Sequence, residues 1–398
     1  MKKYIITIVI IILHPLNFLA QDVFFIPDEP YIQPMSLELG DSAYASILTC
    51  GPGDELYETF GHTAIRICDS ANNIDYVFNY GAFDDFEHGF YLKFAKGQLD
   101  YCLIVEPYLF FLYEYQYYNR AVWEQKLLLE RKELVALFRA LVINAQPENM
   151  YYSYDFFRNN CATRVRDVIE QSLIDRKLFS NTFSSQPETY RSLVHKYTGS
   201  SKLWWRFGID LLLGQVCDKN ITTSQYMYVP MELMTQYDTT RFIGGNTLTE
   251  PAIQTLPDHR TPLPKSTSPT LVFWILFAVV ALLTIISHIA KWSLYWFDGV
   301  LYGSVGLLSL LILYLWIISD HYCCNNNLNL LWANPLVIWM VFRLRHPNYI
   351  VSLITACILL CFLVGFTLWP QVFNPAVIPI ALSILIRLVD RFFRSDWK

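Results

Sequence analysis

The pattern of hydrophobic and polar positions divides the chain into two parts. Up to about residue 245, short apolar runs alternate with charged and turn-forming residues, as in a globular domain of mixed strands and helices. From residue 270 onward, apolar segments follow one another, and several reach the roughly 20 residues that a helix needs to span a bilayer. These segments lie at about residues 270–290, 299–318, 328–344, 348–369 and 375–390. The pattern predicts an α+β domain followed by a C-terminal bundle of about five transmembrane helices.

Within the first part, two β-rich runs read "HTAIRICD" from residue 62 and "IDYVFNYG" from residue 74, with the turn-forming residues "SANN" between them. This arrangement predicts a β-hairpin. A further strand is predicted for "RAVWEQKLLL". The apolar spacing of "RKELVALFRALVINA" predicts a helix that ends before Pro147.

A second helix is predicted in "NNCATRVRDVIEQSLI", where asparagines can cap the N-terminus. Cys161 then lies in the first turn, and Val165, Val168 and Ile169 form the buried stripe. The later segments "WWRFGIDLLLGQV" and "YVPMELMTQY" also have helical patterns.

The boundary between the two parts is rich in proline. Residues 246–269 contain five prolines, which forbid a continuous helix and favour an extended linker: Pro251, Pro257, Pro262, Pro264 and Pro269. The chain begins with two lysines and an apolar run that ends at Ala20, which is typical of a secretory signal. We therefore expect a signal peptide at 1–20, an exported domain at 21–245, a linker at 246–269 and a membrane domain at 270–398.

The basic residues predict how the membrane domain is oriented. Three groups fall on one side of the predicted spans: Lys291; Arg343 and Arg345; Arg387, Arg391, Arg394 and Lys398. Because basic residues concentrate on the cytoplasmic side, the C-terminus is expected to be cytoplasmic and the globular domain external.

Composition supports a membrane protein and excludes some partners. Hydrophobic residues make up 54% of the 398 residues and charged residues only 16%, so part of the chain is expected to reside in lipid. The net charge of −5 and the scattered Lys and Arg argue against a nucleic-acid partner.

Five cysteines precede the membrane part, so at least one is expected to be free. No paired Cys or His spacing supports a zinc site there, and we predict neither a metal nor a cofactor.

The candidate chemistry rests on a cysteine and a histidine. Cys161, in the first turn of a helix, faces backbone N–H groups that favour a thiolate and can hold a developing oxyanion. His62 opens a strand and can act as general base, and Asn79 on the next strand can fix the imidazole tautomer. Asp75 and Asp84 are less favoured for that third role. Taken singly, His62 is more often a satisfied core histidine and Cys161 a buried small residue, but the pair in one exported domain favours catalysis.

These residues also resemble a known group of proteins. A histidine on a strand, a polar residue on the next strand and "NC" opening a helix resemble the circularly permuted papain-like proteins, the lecithin:retinol acyltransferase and NlpC/P60 group. The motifs "FGHTAIRICD", "YVFNYGAFD" and "NNCATRVRD", followed by a membrane part, more closely resemble the Lnb-type lipoprotein N-acyltransferases of Bacteroidetes.

The resemblance implies a permuted papain-like fold and a multi-pass protein of the bacterial inner membrane with its catalytic domain in the periplasm. It implies transfer of a fatty acyl group from a membrane phospholipid to the α-amine of a diacylated lipoprotein's N-terminal cysteine. Cys161 matches the nucleophile and His62 the base, whereas Asn79 matches less closely because permuted relatives often have a second histidine there. Arg158, Asn160 and Arg164 are the predicted substrate-binding residues.

Alternatives remain at this stage. The same Cys-His pair would serve a cell-wall peptidase or amidase, and a non-enzymatic membrane scaffold would need neither residue. For the arginines near Cys161, the alternative to binding a phosphate head group is ordinary salt bridges. The aromatic stretch "EPYLFFLYEYQYYNR" is either core packing or a membrane-facing surface.

Overall fold

The computed structural model describes residues 38–83, 89–179 and 188–394. The predicted signal peptide and Asp84 lie outside these ranges. In the described residues the strands are β1 Tyr44–Cys50, β2 His62–Asp69, β3 Ile74–Ala82, β4 Asp100–Pro107, β5 Val122–Lys126, β6 Tyr151–Ser153, β7 Leu178–Phe179, β8 Arg241–Phe242 and β9 Ile253–Leu256. The helices there are α1 Phe90–Lys96, α2 Tyr108–Tyr117, α3 Arg131–Asn144, α4 Cys161–Ser172, α5 Tyr190–Thr198, α6 Leu203–Leu212, α7 Thr223–Tyr226, α8 Pro230–Thr239, α9 Pro269–Ile289, α10 Tyr295–Ile317, α11 Leu336–Phe342, α12 Tyr349–Val364 and α13 Val377–Arg394.

The described chain forms two compact units. The first contains the described residues within 38–50 and 62–179, together with Leu233–Pro257. The second contains Gly51–Gly61 and the described residues 188–232 and 258–394.

A seven-stranded sheet organises the first unit, in the order β6-β4-β3-β2-β1-β5-β9. Each neighbouring pair is antiparallel. The predicted hairpin of β2 and β3 is confirmed, with Ile65 opposite Phe78. Its turn is stabilised by Asp69, whose carboxylate accepts the Ala71 N–H, and Asn73 takes a positive φ of 54°. The hairpin register brings the start of β2 beside the end of β3.

The predicted helices on this sheet are also present. Helix α3 begins with a capping box between Glu130 and Glu133 and ends at Asn144, before Pro147. Helix α4 begins at Cys161 behind the N-cap Asn160 and packs on β2, β3 and α3. Its buried residues include Val165, Val168 and Ile169, as the apolar stripe predicts.

The predicted linker is not entirely a linker. Residues Ile253–Leu256 form β9, which pairs with β5 at the edge of the sheet, with Val122 opposite Leu256. Pro251 and Pro257 flank this strand. Proline is tolerated beside an edge strand because one side of that strand makes no ladder hydrogen bonds.

The predicted 21–245 domain also differs from the compact units. Residues 188–232 belong with the C-terminal helices, because buried polar groups join them. Asp210 accepts hydrogen bonds from Arg191 Nη1 at 2.9 Å and from Asn374 Nδ2 at 2.9 Å. Asn327 Nδ2 donates to the Leu211 carbonyl at 2.8 Å. Such contacts satisfy groups that would be costly to bury alone, and the apolar pattern does not reveal them.

Of the five helices α9–α13, two are long and apolar enough to cross a membrane: α9 has 21 residues and α10 has 23. Helix α12 is a shorter apolar helix of 16 residues. The predicted span at 328–344 is not one helix, since α11 begins only after Pro335 and has seven residues. The number of spans stays a prediction.

Two of the basic residues used to predict orientation, Arg391 and Arg394, contact the connections that follow α11 and α9. Arg391 donates to the Leu344 carbonyl, and Arg394 donates to the Trp292 carbonyl. The connections after α9 and α11 and the end of α13 are therefore neighbours. This grouping agrees with the arrangement on which the positive-inside argument rests.

Candidate active site

His62 and Asn79 are hydrogen-bonded to each other. His62 Nε2 lies 2.6 Å from Asn79 Oδ1, and Asn79 is buried on β3. Because the amide oxygen can only accept, this bond makes Nε2 the protonated nitrogen and leaves Nδ1 free to act as a base. The hairpin thus holds the imidazole in one tautomer and orientation.

Cys161 is held by the start of α4. Asn160 Oδ1 accepts the Thr163 N–H at 2.9 Å, and Thr163 Oγ1 accepts the Asn160 N–H at 2.8 Å, which closes a capping box. Asn160 Nδ2 donates to the Phe156 carbonyl at 2.9 Å. The backbone N–H groups of Thr63, Cys161 and Ala162 hydrogen-bond the thiol of Cys161, which is 8% exposed. Such groups can also stabilise an oxyanion that forms beside the sulfur.

Gly81 shows that the cysteine and the histidine share one space. A methyl group at Gly81 would lie 3.6 Å from Cys161 Cβ, 3.8 Å from His62 Cε1 and 3.9 Å from the Tyr152 hydroxyl. Gly81 has a φ of +104° and sits where the pairing of β3 with β4 shifts register. A glycine in this bulge lets the backbone bend without placing a side chain against Cys161 and the His62 ring.

Burial sets the protonation states of the pair. Burial raises the pKa of the Cys161 thiol to about 11, although the three backbone N–H groups oppose this change. Burial lowers the pKa of His62 to about 4, opposed by the bond to Asn79 and assisted by the charge of Arg120. At neutral pH the site therefore holds a neutral thiol and a neutral imidazole. The thiolate expected from the helix N-terminus is not the resting form, because desolvation outweighs the local dipoles.

Glu106 extends the chain of polar contacts and was not predicted. Asn79 Nδ2 donates to Glu106 Oε1 at 3.1 Å, so both atoms of the amide are used. Burial raises the pKa of the Glu106 carboxyl, and the bond from Asn79 opposes this. The available signal was a carboxylate at the end of the apolar strand "DYCLIVEP". Asp75, a less favoured candidate for the third residue, instead pairs with Arg66 at 2.7 Å.

The three predicted substrate-binding residues have different surroundings. Asn160 is the helix cap described above. Arg158 makes a two-pronged salt bridge with Asp155, with Nη2 at 2.7 Å and Nε at 3.0 Å from the same carboxylate oxygen. Arg164 has no carboxylate partner among the described residues, and its guanidinium lies 4.3 Å from the centre of the Tyr152 ring.

Three tyrosines lie near Cys161. Tyr101 and Tyr154 stack with their ring centres 4.0 Å apart, and Tyr152 packs edge-on against Tyr80 at 6.2 Å. Cys161 is close enough to Tyr101, Tyr152 and Tyr154 that its charge would raise the pKa of each phenol, in addition to the larger effect of burial. Aromatic side chains are therefore part of the environment of Cys161.

The aromatic stretch after β4 is both core and surface. In α2, Tyr108, Phe111 and Tyr115 are buried. The residues on its other face are exposed: Leu109, Phe110, Tyr113 and Tyr117. The core-packing interpretation is therefore confirmed for the buried face, and a membrane-facing surface stays a prediction for the exposed face.

The cysteines of the described residues are all free, as the odd number before the membrane part had suggested for at least one. Within the same residues, no three His, Cys, Asp or Glu side chains group in a way that could hold a metal ion.

These features define a class: a membrane protein whose α+β domain brings Cys161, His62 and Asn79 to one place. The Lnb N-terminal periplasmic domain matches residues 39–196, and the Lnb transmembrane domain matches residues 262–395. The two matches cover nearly three quarters of the chain, which therefore belongs to the Lnb family of lipoprotein-modifying membrane proteins. It is an inner-membrane protein with a periplasmic N-terminal domain and a transmembrane C-terminal region. No curated protein and no solved structure matches the chain significantly.

Proposed function

We propose that the protein transfers a fatty acyl group from a membrane phospholipid, through a thioester on Cys161, to the α-amine of the N-terminal cysteine of diacylated lipoproteins. The observation that carries this proposal is the shared space at Gly81, where Cys161 Cβ and His62 Cε1 both come within 4 Å of one point. An ester carbonyl in this space would be in reach of both the sulfur and the base.

The first half-reaction forms the thioester. His62 Nδ1 takes the thiol proton as the sulfur attacks the ester carbonyl, and the backbone N–H groups at Cys161 and Ala162 stabilise the oxyanion. Collapse of this intermediate breaks the bond to the glycerol oxygen, which receives the proton from His62 and leaves as a lysophospholipid. Asn79 keeps the ring in place throughout and supports the transient imidazolium through its carbonyl oxygen.

The second half-reaction transfers the acyl group. The neutral α-amine of the lipoprotein attacks the thioester carbonyl and gives up a proton to His62. Breaking the carbon–sulfur bond forms the amide, and the thiolate recovers the proton from His62. The two halves balance without a redox step or an energy source, since a thioester is a reactive acyl donor to amines.

The surroundings of the sulfur support an acyl donor over a cell-wall peptide. The stacked Tyr101 and Tyr154 and the packed Tyr152 offer apolar contact to a hydrocarbon chain. The exposed face of α2 adds Leu109 and Phe110, which are 74% and 62% exposed. Exposed aromatic and aliphatic residues are common where a protein meets a lipid interface, and membrane association is a property of this family.

The test is acylation of the purified full-length protein in detergent by a phospholipid with a labelled acyl chain. Without an acceptor, label should appear on the wild type and be released by neutral hydroxylamine, which cleaves thioesters. It should be absent from Cys161→Ala and reduced by at least about a hundredfold in His62→Ala. Adding a synthetic diacylated lipopeptide should move the label to its N-terminus.

Two outcomes contradict the proposal. Label that persists on Cys161→Ala would mean another nucleophile. Absence of label on every variant, together with release of peptides from isolated cell wall by the wild type, would favour the peptidase alternative. Asn79→Ala should retain more activity than the other two variants, since Asn79 orients the ring and does not react.

A further inference from the structure

Arg164 lies one helical turn after the candidate nucleophile and has no ionic partner in the described part of the chain. Its neighbours on the chain are paired: Arg158 with Asp155 and Arg166 with Asp167. Among the described residues no carboxylate pairs with Arg164, and its Nε is buried without a hydrogen-bond partner. The guanidinium instead lies 4.3 Å from the centre of the Tyr152 ring.

Tyr152 supplies a second polar group without a partner. The residue is 9% exposed, and its hydroxyl is buried with no hydrogen bond to the described residues. This hydroxyl lies 3.9 Å from the point at Gly81 that is 3.6 Å from Cys161 Cβ. The neighbouring Tyr80 is different, because its hydroxyl accepts a hydrogen bond from Asn144 at 2.9 Å.

Two adjacent donors that lack acceptors are costly for the fold. A buried polar group without a partner costs about 1–3 kcal/mol, so such groups point to a ligand that completes them. A guanidinium matches the oxygens of a phosphate, and a phenol can donate one further hydrogen bond. The helix N-terminus at Cys161 adds a favourable potential for an anion.

We propose that Arg164 and Tyr152 bind the phosphate of the acyl donor's head group. This inference rests on the proposed function and adds the part of the substrate that the site recognises. Arg164 follows Cys161 by three residues, so the two side chains lie on the same face of α4, separated by roughly one helical turn of about 5 Å. The glycerol backbone of a phospholipid spans a similar separation between its ester and its phosphate. A phosphate at Arg164 therefore positions an ester at the sulfur.

The experiment compares two donors that differ only in the head group. Full-length protein in detergent is given either phosphatidylethanolamine or diacylglycerol with the same labelled acyl chains, and the second-order rate of Cys161 acylation is measured. Arg164→Gln and Tyr152→Phe should each lower the rate with phosphatidylethanolamine by roughly ten- to a hundredfold, the usual effect of losing a hydrogen bond to a charged group. The rate with diacylglycerol should change less than about threefold. Arg164→Lys, which keeps the charge, should recover part of the preference for phosphatidylethanolamine.

Tyr80→Phe is the matched control. It removes a hydroxyl from the adjacent ring, but that hydroxyl is already bound to Asn144. The ratio of the two rates should stay at the wild-type value. Equal losses with both donors in Arg164→Gln and Tyr152→Phe would mean that the two residues only support the fold, and the phosphate assignment would fall.

Binding measurements separate this inference from the proposed function. In the unreactive Cys161→Ala background, phosphatidylethanolamine binding by native mass spectrometry should weaken when Arg164→Gln is added. That loss would support the phosphate site even if the wild type forms no thioester, whereas unchanged binding would overturn it. Glycerophosphoethanolamine should compete for the site better than inorganic phosphate does. Equal competition by inorganic phosphate would mean a general anion site and would overturn the head-group assignment.

Discussion

Replacing Gly81 with alanine would distinguish two effects: backbone strain, which lowers stability, and filling of the candidate active site, which lowers activity. Gly81 has a φ of +104°, a conformation that residues with a side chain rarely adopt. Holding an alanine there costs about 1–3 kcal/mol of folding free energy. The new methyl would meet Cys161 Cβ at 3.6 Å and His62 Cε1 at 3.8 Å, which are ordinary contact distances. No further loss of stability is expected from a clash.

The effect on activity should be much larger than the effect on stability. The methyl would occupy the space that contacts both Cys161 and the imidazole, where the proposed mechanism places the ester carbonyl. Displacing a reacting group by about 1 Å can cost about a hundredfold in rate. We expect the rate of Cys161 acylation to fall by at least that factor.

Gly245→Ala provides the matched control. Gly245 has the same φ of +104°, but a methyl group there would meet nothing within 4 Å. Both variants are purified in detergent, unfolding is followed by heat, and acylation is measured with labelled phospholipid below the unfolding temperature. Both should lose similar stability, and only Gly81→Ala should lose acylation. Equal acylation rates in the two variants would refute the placement of the substrate at Gly81.

Three further predictions follow from charges and hydrogen bonds. Burial holds the pKa of Cys161 at about 11, so the rate at which a neutral reagent alkylates its thiol should increase about tenfold per pH unit from about pH 6 to about pH 9. The alkylation is measured by mass spectrometry of the peptide that contains Cys161. A plateau from about pH 7 would mean that a thiolate already exists at rest. Glu106→Leu should lower kcat for acyl transfer by about tenfold without a matching rise in KM, because Asn79 Nδ2 loses its hydrogen-bond acceptor. Glu106→Gln, which keeps an acceptor, should have a kcat within about threefold of the wild type. Equal effects of the two substitutions would exclude a positioning role for Glu106. In the C-terminal helices, Arg387 Nε lies 2.7 Å from Asp298 Oδ1, both side chains are 1% exposed, and Arg387 Nη1 also lies 2.9 Å from Asp390 Oδ2. Asp298→Leu should destabilise the protein by about 1–3 kcal/mol in thermal or denaturant unfolding, because the guanidinium loses one carboxylate and keeps the other. The double variant with Arg387→Leu should lose less stability than the sum of the two single variants, and additive losses would show that the two charges do not stabilise each other.

The local structure of this protein follows from short stretches of sequence. The alternation in "HTAIRICD" and "IDYVFNYG" determines a hairpin because successive side chains of a strand face opposite sides. An asparagine before "CATRVRD" determines where α4 begins because its side chain satisfies the first free N–H groups of the helix. These rules place Cys161 in a first turn and His62 at the start of a strand without reference to the rest of the chain.

The tertiary structure decided which groups meet and how they are charged. Arg158 and Arg164 have the same chemistry in the sequence, but among the residues that the structure describes only Arg158 has a carboxylate partner. Glu106 contacts Asn79 across neighbouring strands, and residues 188–232 join the C-terminal helices through Asp210, which are contacts between distant parts of the chain. The position of Cys161 at a helix N-terminus predicted a thiolate, yet burial raises the pKa of the thiol and keeps it protonated. The free energy of a buried charge depends on all the atoms packed around it, and the sequence near the cysteine specifies only a few of them.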